Sequence, residues 1–178
     1  MPRLKKVEKE IADAKVQEIY TTLEGKMGKV INIFKGMGNS SVGLNTYLAM
    51  GANLAQAKLT AKERETIALT LAEYNECQYC LAAHTAIGAG AGIDEETNKA
   101  IRQRKVTDPK LQAIVDWTIA VLDTKGYVSN EQISAFKNAG YGDEEIVESV
   151  AVIAQNIFTN YFNHINDTEV DFPAAPEL

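Results

Sequence analysis

Residues 59–92 read LTAKERETIALTLAEYNECQYCLAAHTAIGAGAG, and this stretch decides the fold because its pattern is that of two helices joined by a short reversal. Thr60 followed by Glu63 three residues later is the signature of a capping box, which predicts a helix running from there toward Tyr74. Asn75 is typical of the start of a second helix. The alanine-rich residues after it favour that helix, and the glycines from Gly88 onward end it.

The second predicted helix contains both cysteines of the chain, Cys77 and Cys80, and one of its two histidines, His84. His84 follows Cys80 by four residues, so helical spacing places the imidazole on the same face as the thiol. Cys77 is predicted in the first turn, where free amides and the positive end of the helix dipole stabilise a thiolate. This segment therefore indicates a redox or metal site.

A carboxylate beside His84 would set the tautomer of the imidazole and stabilise its positive charge. If the chain reverses between the two helices, Glu65 lies about 15 Å back along the first and His84 about 12 Å along the second, so the two are level. Glu63 is needed for the capping box, and Glu73 and Glu76 lie near the turn, where capping or solvated roles are expected. We therefore predict Glu65 as the partner of His84.

Helical periodicity extends through the rest of the chain, and no convincing run of alternating β-branched residues interrupts it. We predict a single all-α domain over residues 1–178, a bundle of about seven or eight helices. Residues 36–40 are predicted as a loop and the tail after residue 171 as extended. The remaining predicted helices cover approximately residues 7–23, 42–57, 94–102, 107–125, 129–137 and 143–166.

Composition limits the possible partners. The net charge of −6 and the pI near 5.0 argue against nucleic-acid binding, which needs clustered positive charge. No apolar run approaches the roughly 20 residues that span a bilayer, and the N-terminus lacks the apolar core of a signal peptide. We therefore expect a cytoplasmic protein without a membrane partner. In a reducing cytosol a lone Cys-x-x-Cys pair favours catalysis or metal binding over a structural role.

Other interpretations of these residues remain open. The two cysteines are also compatible with simple core positions, or with a zinc site in which His84 and His164 complete the ligand set. His164 and the asparagines of the last helix form a polar stripe that lines the active-site mouth, contacts another subunit or is ordinary surface. A non-enzymatic redox-sensing or zinc-binding interaction module is therefore the alternative to an enzyme.

Residues 59–92 resemble the active-site segment of the AhpD-like alkylhydroperoxidases of the carboxymuconolactone decarboxylase superfamily. The resemblance rests on the Leu59–Glu65 phrase, the twelve residues from Glu65 to Cys77, and the Cys-x-x-Cys-x-x-x-His spacing. The closing residues 163–173 are similar to the end of a peroxidase-related subgroup. The resemblance implies an AhpD-like all-α fold and assembly as trimers or hexamers. The decarboxylase branch lacks the cysteine pair, so its activity is not implied.

The resemblance also implies a role for each residue in the reduction of a small-molecule hydroperoxide. Cys80 would be the peroxidatic thiol, Cys77 the resolving thiol, and Glu65 with His84 the proton relay. Sulfenic acid at Cys80 would condense with Cys77 to form a disulfide, which an external dithiol or lipoyl reductant then reduces. No bound cofactor is required. AhpD itself has a histidine immediately before the second cysteine, where this chain has Tyr79.

Overall fold

Nine α-helices and one 3₁₀ helix make up the computed structural model, which describes all of residues 1–178 and contains no β-strand. The all-α prediction is therefore confirmed. The 3₁₀ helix is Lys9–Ile11, and the α-helices in chain order are α1 (Ala14–Met27), α2 (Asn32–Met37), α3 (Ser41–Leu54), α4 (Ala61–Tyr74), α5 (Gln78–Gly90), α6 (Glu95–Arg102), α7 (Pro109–Thr124), α8 (Asn130–Asn138) and α9 (Asp143–Asn166).

Helix α4 lies at the centre of the molecule, where it packs against α5, α6, α7 and α9. Every residue from 66 to 72 is buried, so α4 is enclosed on all sides rather than on a single face. Its two buried threonines satisfy their hydroxyl groups within the helix. Thr66 donates to the Lys62 carbonyl and Thr70 to the Thr66 carbonyl, each at 2.8 Å. The helix that carries Glu65 is thereby held rigidly by its neighbours.

The predicted capping box begins α4. The Thr60 hydroxyl accepts from the Glu63 amide at 3.2 Å, and the Glu63 carboxylate accepts from the Thr60 amide at 2.8 Å. The same carboxylate accepts from the Tyr141 hydroxyl at 2.9 Å and pairs with Lys110 at 3.1 Å. Burial opposes ionisation of Glu63, but these hydrogen bonds outweigh it and hold its pKa below the usual range. Glu63 is therefore a structural residue, as the sequence pattern indicates.

Helix α2 is the element that the sequence analysis missed, and its presence corrects the helix count from seven or eight to nine. Residues 36–40 were expected to be a loop because they contain two glycines. Gly36 instead belongs to α2 and lies directly beneath α9, where an added Cβ would be 2.8 Å from the Asn166 amide nitrogen and 3.1 Å from the Phe162 ring. The glycine therefore permits close packing of helices rather than a turn.

The first helix also begins later than its apolar stripe suggests. Asp13 caps α1 by accepting from the Val16 amide at 3.0 Å, so the helix starts at Ala14. Val7 is buried in an extended segment, where its amide donates to the Lys35 carbonyl at 3.0 Å. The apolar stripe that resembles one helix in the sequence is thus divided between an extended segment and α1.

Two large apolar clusters flank the central helix. One packs α1, α2 and α3 against α5 and includes both cysteines and Tyr79. The other joins α4, α7, α8 and α9 around three stacked rings, with Phe136 centred 4.7 Å from Trp117 and 4.3 Å from Tyr141. The site cysteines therefore lie inside a packed core. None of the helices combines the length and the apolar character that crossing a membrane requires.

Candidate active site

The two cysteines lie at the beginning of α5 and are joined by a disulfide, with their Cα atoms 5.2 Å apart. Cys77 is the N-cap residue, one position before the predicted first turn, because Glu76 adopts a left-handed backbone conformation in the reversal. The Cys80 amide donates to the Cys77 sulfur at 3.3 Å. Both residues are almost fully buried, with 1% and 2% of their surface exposed. The free amides of the helix start are thus directed at this pair.

Glu65 and His84 meet across the α4–α5 contact. The Glu65 carboxylate oxygen lies 2.8 Å from His84 Nδ1, and each side chain keeps 16% of its surface exposed. Because a carboxylate only accepts hydrogen bonds, Nδ1 carries the proton and Nε2 keeps a free lone pair. His84 follows Cys80 by one helical turn on the same face of α5. The antiparallel reversal therefore brings the two residues to the same level, as their spacing predicts.

Two asparagines from α9 complete the surroundings of the thiols. The Asn160 side-chain amide donates to the Cys80 sulfur at 3.1 Å, and that of Asn163 donates to the same sulfur at 3.3 Å. Asn75, in the α4–α5 reversal, donates to the Asn160 carbonyl oxygen at 3.0 Å, which directs the Asn160 NH₂ group toward the sulfur. Carboxamide donors stabilise a sulfur anion, so this arrangement favours the thiolate form of Cys80 after reduction.

The sequence contained a signal for these asparagines, and its interpretation needs refinement. Asn156, Asn160 and Asn163 recur at helical spacing on the otherwise apolar α9, and all three are buried. The three asparagines face the core, and two of them, Asn160 and Asn163, reach the Cys80 sulfur. His164 lies one position off the stripe and is exposed. It contacts neither the relay pair nor Cys80.

Tyr79, the residue immediately before Cys80, binds the C-terminal tail. Its hydroxyl donates to Asp171 at 2.8 Å and accepts from the Ile33 amide at 3.3 Å, while its ring packs edge-on against Phe172. Burial, and after it the hydrogen bond to Asp171, raise the pKa of Tyr79 well above the ordinary tyrosine value. The hydroxyl is thus fully engaged away from the Glu65–His84 pair.

An aromatic wall faces the relay and had no signal in the sequence. The Tyr47 ring lies between Phe34 and Phe158, with centroid distances of 6.0 and 6.2 Å. Burial, reinforced by the negative charge of Glu65, raises the pKa of Tyr47 to about 12. Tyr47 therefore stays neutral beside Glu65 and gives this side of the site an apolar lining.

The zinc alternative lacks a ligand set. No group of three or more His, Cys, Asp or Glu side chains lies close enough together to hold a metal ion. The zinc site would also need His164 as a ligand. This residue lies on α9 and forms no metal-binding group with the cysteines. The donors around the two sulfurs are carboxamide and backbone N–H groups, which bind an anion rather than a cation.

The fold and this site define an all-α protein with a buried Cys-x-x-Cys pair beside a Glu–His pair. Residues 44–118 match the carboxymuconolactone decarboxylase family, and the matched segment contains Glu65, both cysteines and His84. No curated protein matches the chain by sequence. Solved structures extend the similarity to nearly the whole chain.

Two similar structures are peroxidase-related proteins. One, described as an alkylhydroperoxidase AhpD core from Ralstonia eutropha JMP134, is 20% identical, with a TM-score of 0.87 over 96% of this chain and 92% of that one. The other, from Silicibacter sp. TM1040, is 21% identical, with a TM-score of 0.81 over 95% and 94%. The debrominase Bmp8, solved with 2,3,4-tribromopyrrole, is 16% identical, with a TM-score of 0.74 over 89% and 86%. The chain therefore has the fold of the AhpD-like structures, and its segment 44–118 is similar to the carboxymuconolactone decarboxylase family.

Proposed function

We propose that this protein is a thiol-dependent hydroperoxide reductase that acts on a small-molecule hydroperoxide. The observation that carries the proposal is the Cys77–Cys80 disulfide whose second cysteine lies one helical turn from an imidazole held by Glu65. A disulfide is the product expected when a vicinal thiol pair has reduced a peroxide. The likeness to two peroxidase-related structures supports the same chemistry.

The reaction begins with the reduced dithiol. The Cys80 thiolate, stabilised by the carboxamides of Asn160 and Asn163, attacks one peroxide oxygen, and the O–O bond breaks. His84 Nε2 takes the proton of the Cys80 thiol when the thiolate forms and returns it to the departing alkoxide, so an alcohol leaves. The Cys77 thiolate then attacks the sulfenic sulfur of Cys80 and displaces hydroxide, which leaves as water after protonation. Two thiols have supplied two electrons, and the disulfide remains.

An external reductant closes the cycle. The two electrons return from a dithiol or a lipoyl group by thiol–disulfide exchange, and the enzyme needs no bound cofactor for either half of the reaction. Glu65 holds His84 through Nδ1 and is accordingly a positioning residue. The sulfurs are buried, while Glu65 and His84 remain partly exposed, so the peroxide is expected to approach from the relay side.

Peroxide consumption with a dithiol reductant tests this function. The wild-type protein is expected to turn over, whereas Cys80→Ser loses turnover because no other residue forms the sulfenic acid. Cys77→Ser is the matched control, and in the absence of added dithiol it should consume about one equivalent of peroxide and then stop, since it can form the sulfenic acid but not resolve it. Turnover by Cys80→Ser at the wild-type rate would show that the mechanism is wrong. Absence of peroxide reduction by the wild type would favour the redox-sensing alternative.

We also propose that the protein assembles as a homo-oligomer, a trimer or hexamer, through α9. Five large apolar side chains on this helix are 40–70% exposed, and they follow one another at helical spacing along its outer face. An apolar stripe of this length on a surface helix is typical of a protein–protein interface. These residues are Val147, Val150, Phe158, Tyr161 and Ile165.

A further inference from the structure

A polar cavity of about 400 Å³ lies beside the disulfide on the side of Cys77. Its walls come from the start of α5, the end of α9 and the first residues of the tail. Cys77 forms part of the wall, whereas Cys80 does not. The cavity therefore borders one cysteine of the disulfide in particular. The other lining residues that matter here are Glu76, Gln78, Asn163, His164, Asp167 and Thr168.

Asn163 lines this cavity and carries an unused hydrogen-bond acceptor. The residue is only 4% exposed, its NH₂ group faces the Cys80 sulfur at 3.3 Å, and its carbonyl oxygen is buried without a hydrogen-bond partner. A buried acceptor without a partner costs about 1–3 kcal/mol. A molecule in the cavity that donates an N–H or O–H group to this oxygen would therefore be held next to the Cys77 sulfur.

We propose that the external dithiol enters through this cavity and attacks the Cys77 sulfur, so that Cys80 leaves as the thiolate. The inference rests on the proposed function, because it concerns the step that restores the reduced enzyme. It assigns the two substrates to different sides of the site: the peroxide approaches Cys80 from the Glu65–His84 side, and the reductant approaches Cys77 from the cavity.

The exchange balances in two steps. A reductant thiolate attacks the Cys77 sulfur, a new S–S bond forms between them, and the Cys77–Cys80 bond breaks with its electron pair on Cys80. The second thiolate of the same reductant then attacks the reductant sulfur of this mixed disulfide. Cys77 is thereby released as a thiolate. The reductant leaves as a cyclic disulfide, and its two electrons and two protons have passed to the protein.

The hydrogen bonds favour this direction of attack. Exchange is faster when the departing sulfur is the better stabilised anion. The Cys80 sulfur accepts from two carboxamides at 3.1 and 3.3 Å, whereas the Cys77 sulfur accepts from one backbone amide at 3.3 Å and from Asn163 only at 4.0 Å. Cys80 is therefore the better leaving group, and Cys77 is the sulfur to be attacked.

The charges of the cavity select the class of reductant. Glu76 and Asp167 contribute two carboxylates, and His164 is the only basic side chain among the lining residues. With a net charge of −6 on the whole chain, this entrance disfavours an anionic thiol. The cavity thus fits an uncharged dithiol that carries a hydrogen-bond donor for the Asn163 carbonyl.

The position of attack can be read directly on the oxidised wild-type protein. A brief exposure to 2-mercaptoethanol, followed by acid quenching and peptide mass mapping, is expected to find the mixed disulfide on Cys77. A mixed disulfide predominantly on Cys80 would overturn the proposal. The measurement involves no peroxide, so its result is independent of whether the protein reduces hydroperoxides.

Two further measurements test the route and the charge selection. Gln78→Trp fills the cavity at an exposed position, and Gln103→Trp, at an exposed glutamine outside this cavity, is its control. For each variant we compare the rate of reduction by dithiothreitol with the rate of oxidation by peroxide. The ratio of the two rates should be about tenfold lower for Gln78→Trp than for Gln103→Trp. Neutral dithiothreitol should also reduce the wild type at least about fivefold faster, per thiolate, than dianionic dimercaptosuccinate. If the ratio is the same for the two tryptophan variants, the reductant does not enter through the cavity. If dithiothreitol and dimercaptosuccinate reduce the wild type at equal rates per thiolate, the cavity does not select a neutral reductant.

Discussion

The reactivity of a single sulfur, that of Cys80, depends on side chains from three helices. α5 supplies His84 one turn away, α4 supplies Glu65 to orient that imidazole, and α9 supplies the two carboxamides that contact the sulfur. The first turn of α5 directs its Cys80 amide at the neighbouring Cys77 sulfur instead. At neutral pH this environment combines N–H donors with a base, which suits a thiol that must be both ionised and close to a proton donor.

Glu65→Gln tests the relay at the scale of the residue. The substitution keeps the shape of the side chain but removes the negative charge that stabilises a protonated His84, so the Cys80 thiolate loses support. We expect the reaction with peroxide to slow by about tenfold or more, and the pH profile of thiol alkylation in the reduced protein to move to higher pH.

Glu18→Gln is the control for this prediction, because Glu18 is an exposed glutamate on α1, outside the site. It should leave both the rate and the alkylation profile at their wild-type values. If Glu65→Gln also leaves the alkylation profile in place, Glu65 has no part in the relay.

At the scale of the element, α4 is the helix on which the site depends. It is buried along its length, and its first turn is tied to α7 and the α8–α9 segment through the Glu63 carboxylate. Three helix starts with side-chain caps follow the sequence signals closely, those at Asp94, Asp108 and Ser129, whereas the Asp13 cap of α1 lies well after the predicted start. Helix α2 has no side-chain cap, and no sequence signal predicted where it begins. Capping is a contact within four residues, so the sequence alone reveals it.

Glu63→Gln should lower the free energy of unfolding by about 1–3 kcal/mol at pH 7, because it removes a charged acceptor from a buried network. The folded-state pKa of Glu63 lies below the ordinary glutamate value of 4.5, so its stabilisation is fully present above that value and is lost as the pH falls through the folded-state pKa. The difference between variant and wild type should therefore shrink in acid. Urea unfolding of both proteins at several pH values measures this difference in the free energy of unfolding.

The matched control lies on α8, whose capping box uses the uncharged Gln132 in the position that Glu63 occupies on α4. Gln132→Ala should destabilise the protein by about 1 kcal/mol, with no change in that difference between pH 7 and acid. A Glu63→Gln difference that stays constant with pH would contradict the role assigned to the carboxylate.

At the scale of the whole molecule, α9 serves two surfaces at once. Its inner face directs the asparagine stripe toward the thiols, and its outer face exposes a run of apolar side chains. The tail that follows α9 returns across α5 and α2, where Asp171 accepts from Tyr79 and from the Asn32 amide. Arg102 of α6 then contacts the Pro176 carbonyl near the end of the chain. The tail thus closes the fold over Tyr79.

Val147→Lys tests the proposed oligomer. Val147 is 70% exposed on the outer face of α9, so a lysine there fits the monomer but places a charge inside the interface. Light scattering is expected to give a multiple of 19.5 kDa for the wild type and a smaller mass for the variant. Val42→Lys, an equally exposed valine on α3, is the control and should keep the wild-type mass. A monomeric wild type would exclude the assembly.

The two central helices and the reversal between them could be predicted from the sequence, and through these the meeting of Glu65 with His84 and the position of Cys80 one turn away. All of these follow from a rise of 1.5 Å per residue and from caps within a few residues, which depend only on local spacing. The tertiary structure alone decided which groups touch the sulfurs, because Asn160 and Asn163 are 80 or more residues away along the chain. It also decided that Tyr79 binds the tail, since that role depends on where Asp171 packs.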